Sequence, residues 1–149
     1  MRDIIAVRTS AAPEAVWEVL TSLEKIKVWE PSHGLPFVKH EWSQDEGKVK
    51  AGTILKVKAV PWTFAARCVE VEKYRVVWEF TGGPLWGKEA WLTRAETAGS
   101  SIIKLLEYEV PKLRDRLLWL LLGRRIHSWA SRRQLMCVKT LAEGEDETQ

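Results

Sequence analysis

Cysteine is scarce in this chain of 149 residues: Cys68 and Cys137 are the only two, far apart and without a Cys-x-x-Cys. Such usage suits neither a disulfide framework nor a thiolate zinc site, so both thiols are read as small buried hydrophobes. The three histidines, His33, His40 and His127, form no HExxH or other ligand spacing, and neither a metal nor a cofactor is expected. No Gly-x-Ser-x-Gly elbow is present for a serine hydrolase. Long hydrophobic runs are missing too. The longest strictly apolar stretch, Leu117–Leu122, has six residues, against roughly 20 for a bilayer span. The opening Met1-Arg2-Asp3-Ile4-Ile5-Ala6-Val7 lacks the apolar core and cleavage site of a signal peptide, and the expected address is the reducing cytoplasm. A net charge of +3 is too mild to argue for nucleic acid.

What is present is a folded composition, 46% apolar and 29% charged, in a length that fits one domain. The aromatics are skewed, with nine Trp against three Phe and two Tyr. Large rings dominate interiors and ligand-facing walls, so an interior or pocket lined by indoles is expected. Residues 1–142 are read as a single ligand-binding domain and 143–149, which contain no apolar residue, as an acidic flexible tail.

Ile4 to Thr9 reads as a short strand. Pro13 and Glu14 then suit a helix's first turn, and Val16, Trp17, Leu20 and Leu23 share one helical face. A second short helix carries Ile26 and Trp29 and stops at Glu30-Pro31. From about residue 37 to 110 the period becomes two. Leu55, Val57 and Ala59 alternate with lysines; Val76, Trp78 and Phe80 share a face; so do Ile102, Leu106, Tyr108 and Val110. Turn signals at Gly47, Pro61, Gly82-Gly83-Pro84 and Gly99-Ser100 divide this into an antiparallel meander. After Pro111 the chain turns helical to about Leu141, with Trp119, Leu122, Ile126, Trp129, Ala130, Cys137 and Thr140 in one stripe and Arg124, Ser131, Leu135 and Lys139 outside it. Gly123 marks a kink or the start of the main helix. The fold class is α+β, the last helix covering the apolar face of the sheet.

The segment Ile5-Ala6-Val7 … Ala12-Pro13-Glu14-Ala15-Val16-Trp17 … Leu20 … Trp29-Glu30-Pro31, with Gly52-Thr53, Gly99-Ser100 and the amphipathic final helix, resembles the START-like superfamily (SRPBCC, Bet v 1-like, polyketide cyclase/dehydrase and lipid transport). The resemblance covers nearly the whole chain. It implies a helix-grip fold: a curved antiparallel sheet of about seven strands around a long C-terminal helix, with two short helices after the first strand. It also implies an apolar cavity for a lipid-like or polycyclic molecule, held for sequestration or transfer. Some members are cyclases or dehydratases, but no universal catalytic motif carries over, and no catalytic residue is assigned. The Gly-rich loop of plant pathogenesis-related members has no equivalent, Gly82-Gly83-Pro84 being too short.

Several constellations remain. Gly82 to Lys88 satisfies Gly-x-x-x-x-Gly-Lys, but Glu89 stands where Ser or Thr would hold magnesium and Pro84 has no amide, so a β-turn is the better reading. Most strand glutamates, Glu79, Glu107 and Glu109 among them, are assigned to the solvent face. Glu89 shares a face with Trp91 and is a candidate cavity carboxyl, able to serve as acid or base. Arg133, in the middle of the predicted stripe, would meet an anionic ligand group or send its head to water along an apolar stem. Trp62, Phe64, Trp78, Phe80, Glu89, Trp91, Tyr108, Trp129 and Arg133 are therefore the candidate cavity residues, against the plainer reading of core packing. Residues Lys112 to Lys139 hold eight basic side chains and one acid, Asp115. Beside Leu117–Leu122 they form a basic amphipathic surface that is either a solvated face or a contact for an anionic membrane or protein partner. A natural pocket of about 400 Å³ would cost some 10 kcal/mol if left without use, which argues that a cavity in this fold serves a ligand.

Overall fold

Period-two alternation builds seven strands, and the order in which they pair decides where an interior can form. The computed structural model describes residues 1–148, with side chains through Gly144. Strand β1 (Arg2–Thr9) leads into α1 (Pro13–Thr21) and α2 (Leu23–Trp29), which ends in a 3₁₀ turn (Glu30–His33). Then come β2 (Val38–Trp42), β3 (Ile54–Ala59), β4 (Trp62–Glu72), β5 (Arg75–Gly82), β6 (Trp86–Glu96) and β7 (Gly99–Glu109). The chain finishes with α3 (Leu113–Leu118), a π-helical turn (Trp119–Gly123) and α4 (Arg124–Thr148). The sheet order is β1-β7-β6-β5-β4-β3-β2, antiparallel throughout. Because β1 and β2 form opposite edges, α1 and α2 must cross the open side of the sheet to connect them. The result is a curled half-barrel gripping a long C-terminal helix, the helix-grip fold.

The curl has a local cause. Register shifts at Ala65/Ala66 and Cys68/Glu70, where β4 meets β5, are the irregularities that bend a strand and increase its twist. On the concave side, α1, α2 and the later turns of α4 pack Val16, Val19, Leu23, Ile26, Leu135 and Val138 against Trp78, Trp91 and Ile102. A second apolar cluster joins Leu85, Leu106, Tyr108 and Val110 to Trp119. Cys68 is buried, Cys137 half-buried, and both are free thiols. Between β5 and β6 the chain runs straight from strand to strand through Gly82-Gly83-Pro84, so no helix follows the Gly-x-x-x-x-Gly-Lys pattern.

The buried face of the last helix differs from the predicted stripe. Ser131, Gln134, Leu135, Val138 and Ala142 face the sheet, whereas Trp129 and Thr140 are exposed. The π turn explains the correction. It accommodates one extra residue per turn, and one residue corresponds to about 100° of α-helical rotation. A wheel drawn through Trp119 and Leu122 as uninterrupted α-helix therefore lands about one residue out of phase beyond Gly123. The helix also runs past Leu141 to Thr148, so the backbone from residue 143, expected as a tail, is helical; Glu143 accepts a hydrogen bond from Thr9 Oγ1 at 3.0 Å. Residue 149 and the side chains after Gly144 lie outside the described residues.

The junction of helix and sheet is held by a polar chain. Trp119 Nε1 donates to Tyr108 Oη at 2.9 Å, Tyr108 Oη donates to Asp3 Oδ2 at 2.9 Å, and Arg124 Nε donates to Asp3 Oδ1 at 3.1 Å. Tyr108→Phe leaves the Trp119 N–H without its acceptor and Asp3 with Arg124 as its remaining partner. It is expected to cost about 1–3 kcal/mol, measured as a lower urea midpoint with an unchanged m-value.

Candidate functional site

Residue pairing across the sheet places inward rows side by side. Ile5, Lys104, Trp91 and Val76 are register partners across β1, β7, β6 and β5; Asp3, Leu106, Glu89 and Trp78 form the neighbouring row. Further along, Phe80 pairs with Ala66 and Phe64 with Val57. Alternation thus sends Lys104 and Glu89 to the concave face together with the aromatic residues.

Between this face and the helix lies a cavity of about 190 Å³. Leu55, Val57, Trp62, Phe64, Ala66 and Phe80 wall it on the sheet side. Trp119, Gly123, Ile126 and Ala130 close it from the helix. Val60, which is 81% exposed, and the exposed Phe37 also border it, marking its open side. Gly123 is needed for packing: a Cβ there would come within 2.7 Å of the Trp119 ring and 3.0 Å of the Trp62 ring.

One end of the cavity is polar. Glu30 and His33 from the 3₁₀ turn, His40 from β2, Glu89 from β6, Lys104 from β7 and His127, Ser131 and Gln134 from α4 all line it. Lys104 Nζ binds Glu89 Oε1 at 3.0 Å, Ser131 Oγ at 2.8 Å and Gln134 Oε1 at 3.0 Å, which uses its three N–H bonds. It also lies 5.1 Å from the centre of the Trp91 ring, close enough for cation–π attraction. Trp91 Nε1 in turn donates to Glu89 Oε2 at 3.3 Å. Gln134 Nε2 donates to the Glu30 carbonyl at 2.7 Å, tying the turn to α4. His40 Nε2 stands 3.9 Å from Glu30 Oε1, and the His33 and His40 rings stack at 5.5 Å. His33 Nδ1 accepts the Leu35 amide at 3.0 Å, which leaves that ring's proton on Nε2.

The two carboxyls therefore differ. Burial alone would raise Glu89, but the charge and hydrogen bond of Lys104, with help from His127 and Trp91, leave it below its ordinary value. Glu30 is pushed up to about 7, by burial first and the Glu89 charge second. Burial, then Lys104, pushes His127 down to about 4. Burial, then His33, takes His40 to about 4. His33 is lowered by burial and by the charges of Lys104 and Arg133. Near neutral pH the site holds one tight ion pair, three neutral imidazoles and one carboxyl close to its titration point. Among the described residues, no group of three or more His, Cys, Asp or Glu could hold a metal ion.

Of the candidate residues, Trp62, Phe64, Phe80 and Glu89 line this cavity. Trp78 is buried instead against Trp42, and Trp91 against Trp29, behind the polar end. Tyr108 is engaged between Trp119 and Asp3. Trp129 is 45% exposed, and Arg133 is exposed and lies over its ring at 5.1 Å. This corrects the placement of both: the π-turn phase shift carries them away from the sheet. Lys104, Glu30 and the three histidines are residues that sequence reasoning missed. For Lys104 the signal was there, since it shares the parity of Ile102 and Leu106.

No family model matches the chain, and no curated protein sequence does. Solved structures do. A protein from Thermus thermophilus superposes with a TM-score of 0.71 at 16% identity, covering 97% of this chain and 98% of that one. The di-domain ARO/CYC StfQ from the steffimycin biosynthetic pathway gives 0.67 at 14% identity, over 96% of this chain and 51% of its own. Norcoclaurine synthase from Thalictrum flavum, solved with dopamine and hydroxybenzaldehyde, gives 0.67 at 17% identity, over 97% and 88%. The chain has the Bet v 1-like (SRPBCC) fold.

Glu30 yields a pH test. Between its ordinary value of 4.5 and about 7, the native protein keeps a proton that the unfolded chain has released. Native stability from this group therefore falls as pH rises through that window. The lowered imidazoles act in the opposite sense, chiefly between about 4 and 6.5. Glu30→Gln removes only the first contribution. The variant should gain melting temperature over wild type at pH 8, by up to about 3 kcal/mol of stability, and show little gain at pH 5; thermal melts across that range check it.

Proposed function

We propose that residues 1–142 act as one domain that binds a small, largely apolar ring compound bearing one polar end, for sequestration or transfer. The observation carrying this reading is the cavity itself, with aromatic walls on one side and a prearranged polar end on the other. By the scaling for buried voids, an unfilled space of about 190 Å³ costs about 5 kcal/mol, a large part of a domain's stability. The size is above that of an apolar void that takes up benzene, about 150 Å³. One ring or two fused rings fit, with room for more only through the open side. The single-ring compounds named with norcoclaurine synthase agree with that scale. Native mass spectrometry of the purified protein should show a co-purifying hydrophobe or an empty site that 2-naphthol fills. Ala130→Phe, which places a ring in the cavity, should weaken 2-naphthol binding at least about tenfold, or about 1.4 kcal/mol, without lowering the melting temperature. Binding unaffected by that ring would overturn the reading.

A second reading concerns how such a ligand arrives. Leu113, Leu117, Leu120, Leu121 and Leu122 are all exposed, between 44% and 73%. They lie among Lys112, Arg114, Arg116 and Arg125 and run into Gly123 at the cavity wall. Exposed leucines ringed by cations match an anionic membrane surface in both apolar and charge character. No helix among the described residues is long and apolar enough to cross a membrane, so the contact would be peripheral. Sedimentation with phosphatidylserine vesicles should be salt-sensitive and should fall at least fivefold in Leu121→Glu; equal binding to neutral vesicles would refute it.

A further inference from the structure

The cavity holds two carboxyl groups with opposite surroundings. Glu89 is fastened by Lys104 at 3.0 Å and Trp91 at 3.3 Å. Among the described residues, the Glu30 carboxyl has no ion-pair partner in direct contact: the Gln134 amide hydrogen-bonds it, a histidine nitrogen lies 3.9 Å away, and Lys104 acts on it by charge alone. Its backbone is nonetheless fixed, because it opens the 3₁₀ turn before Pro31 and its carbonyl is held by Gln134. A positioned carboxylate with weakly occupied lone pairs, facing an apolar cavity, is a base poised for a substrate proton. Where the environments of two titratable groups are pushed apart in this way, they take different roles.

We propose that Glu30 is a general base that removes a proton from carbon, acting on a small planar apolar compound held in the cavity. The natural substrate class is a β,γ-unsaturated carbonyl compound, whose acidic C–H lies between the carbonyl and the double bond. The Glu30 carboxylate takes that proton, the C–H electron pair moves into the conjugated dienolate, and the resulting carboxylic acid returns the proton to the γ-carbon, so that the double bond shifts into conjugation with the carbonyl. The outcome is an isomerisation that needs no co-reactant. This rests on the binding reading above.

The neighbours fit the role. Facing Glu30 are His33 from its own turn, His40 from β2, Glu89 from β6, Lys104 from β7 and His127 from α4. Lys104 has no N–H bond left to offer and no exposed amine to act as nucleophile, so it contributes a fixed positive field that favours a developing oxyanion. The imidazoles are held neutral and do not quench the carboxylate as a buried cation would. Glu30 itself titrates close to neutral pH, where a general base is most effective.

The full-length protein can be tested with 5-nitro-1,2-benzisoxazole, a flat bicyclic carbon acid. Glu30 would take its C3 proton, the C–H pair would complete the nitrile, and the N–O bond would break with its electrons on oxygen. The product is the coloured 2-cyano-4-nitrophenolate, and water then takes the proton from Glu30. Binding is read separately, by tryptophan fluorescence with the unreactive 6-nitrobenzotriazole. Expected are saturable turnover whose rate rises with a midpoint near 7, and a Glu30→Gln variant that binds the benzotriazole within threefold of wild type but loses at least about 100-fold in kcat. Glu30→Asp should keep a titrating activity at a reduced rate, which separates loss of the base from loss of the fold. Wild-type binding without turnover, or Glu30→Gln turnover at the wild-type rate, overturns the base assignment and leaves the binding reading standing. Failure of wild type to bind the benzotriazole, 2-naphthol or any other one- or two-ring compound removes both.

Discussion

An ammonium ion on the concave face of an apolar sheet dictates much of what surrounds it. Lys104 is 5% exposed, and a cation so placed must find hydrogen-bond acceptors and a counter-charge, or else give up its proton. It finds Glu89 on the neighbouring strand, Ser131 and Gln134 on the last helix, and the face of Trp91 below. Those partners come from two other elements, so satisfying one ammonium fixes the rotation of α4 over β6 and β7. Gln134 extends the arrangement to the turn after α2 through the Glu30 carbonyl. The polar end of the cavity is thus a structural joint as well as a chemical surface.

The apolar end is built on different terms. Bulged pairing between β4 and β5 curls the sheet, while the π turn and Gly123 bring the helix close to Trp62 and Trp119 without space for another methyl group. The space left lies between one cluster centred on α1, α2 and the far part of α4 and another centred on Trp119. Neither cluster reaches across to fill it. A polar end that orders helix and turn, and an aromatic end that sets width, together define a site selective in both shape and polarity.

Most of the architecture was legible in the chain because it depends on short-range rules. Alternation marked the strands, Pro13 and Glu30-Pro31 marked the ends of the first helices, and Trp62, Phe64 and Phe80 fell on the cavity side through strand parity. Parity also carried Lys104, but a charged residue between Ile102 and Leu106 reads as an interruption unless its partners are known, and these lie on other elements. Glu30 and His33 occupy a turn, where no periodicity exists to assign a direction. Arg133 and Trp129 were misplaced because a π turn is invisible to a wheel of constant pitch. What escaped depends on contacts between residues far apart in sequence, such as Lys104 with Ser131 or Tyr108 with Trp119.

That turn at Trp119–Gly123 has a bearing on how this chain tolerates insertions and deletions. It is a one-residue phase adjuster between a leucine-rich segment and the helix that covers the sheet. Dropping a single leucine from 120–122 would remove the extra residue and let uniform α-helix run through the junction with the downstream faces still in phase. Adding one would instead turn everything downstream by about 100°. Trp129 and Arg133 would swing inward, and Ser131 and Gln134 would leave Lys104 unsolvated. Side-chain exchange at those leucines, and even the loss of one, can be tolerated, whereas an added residue cannot.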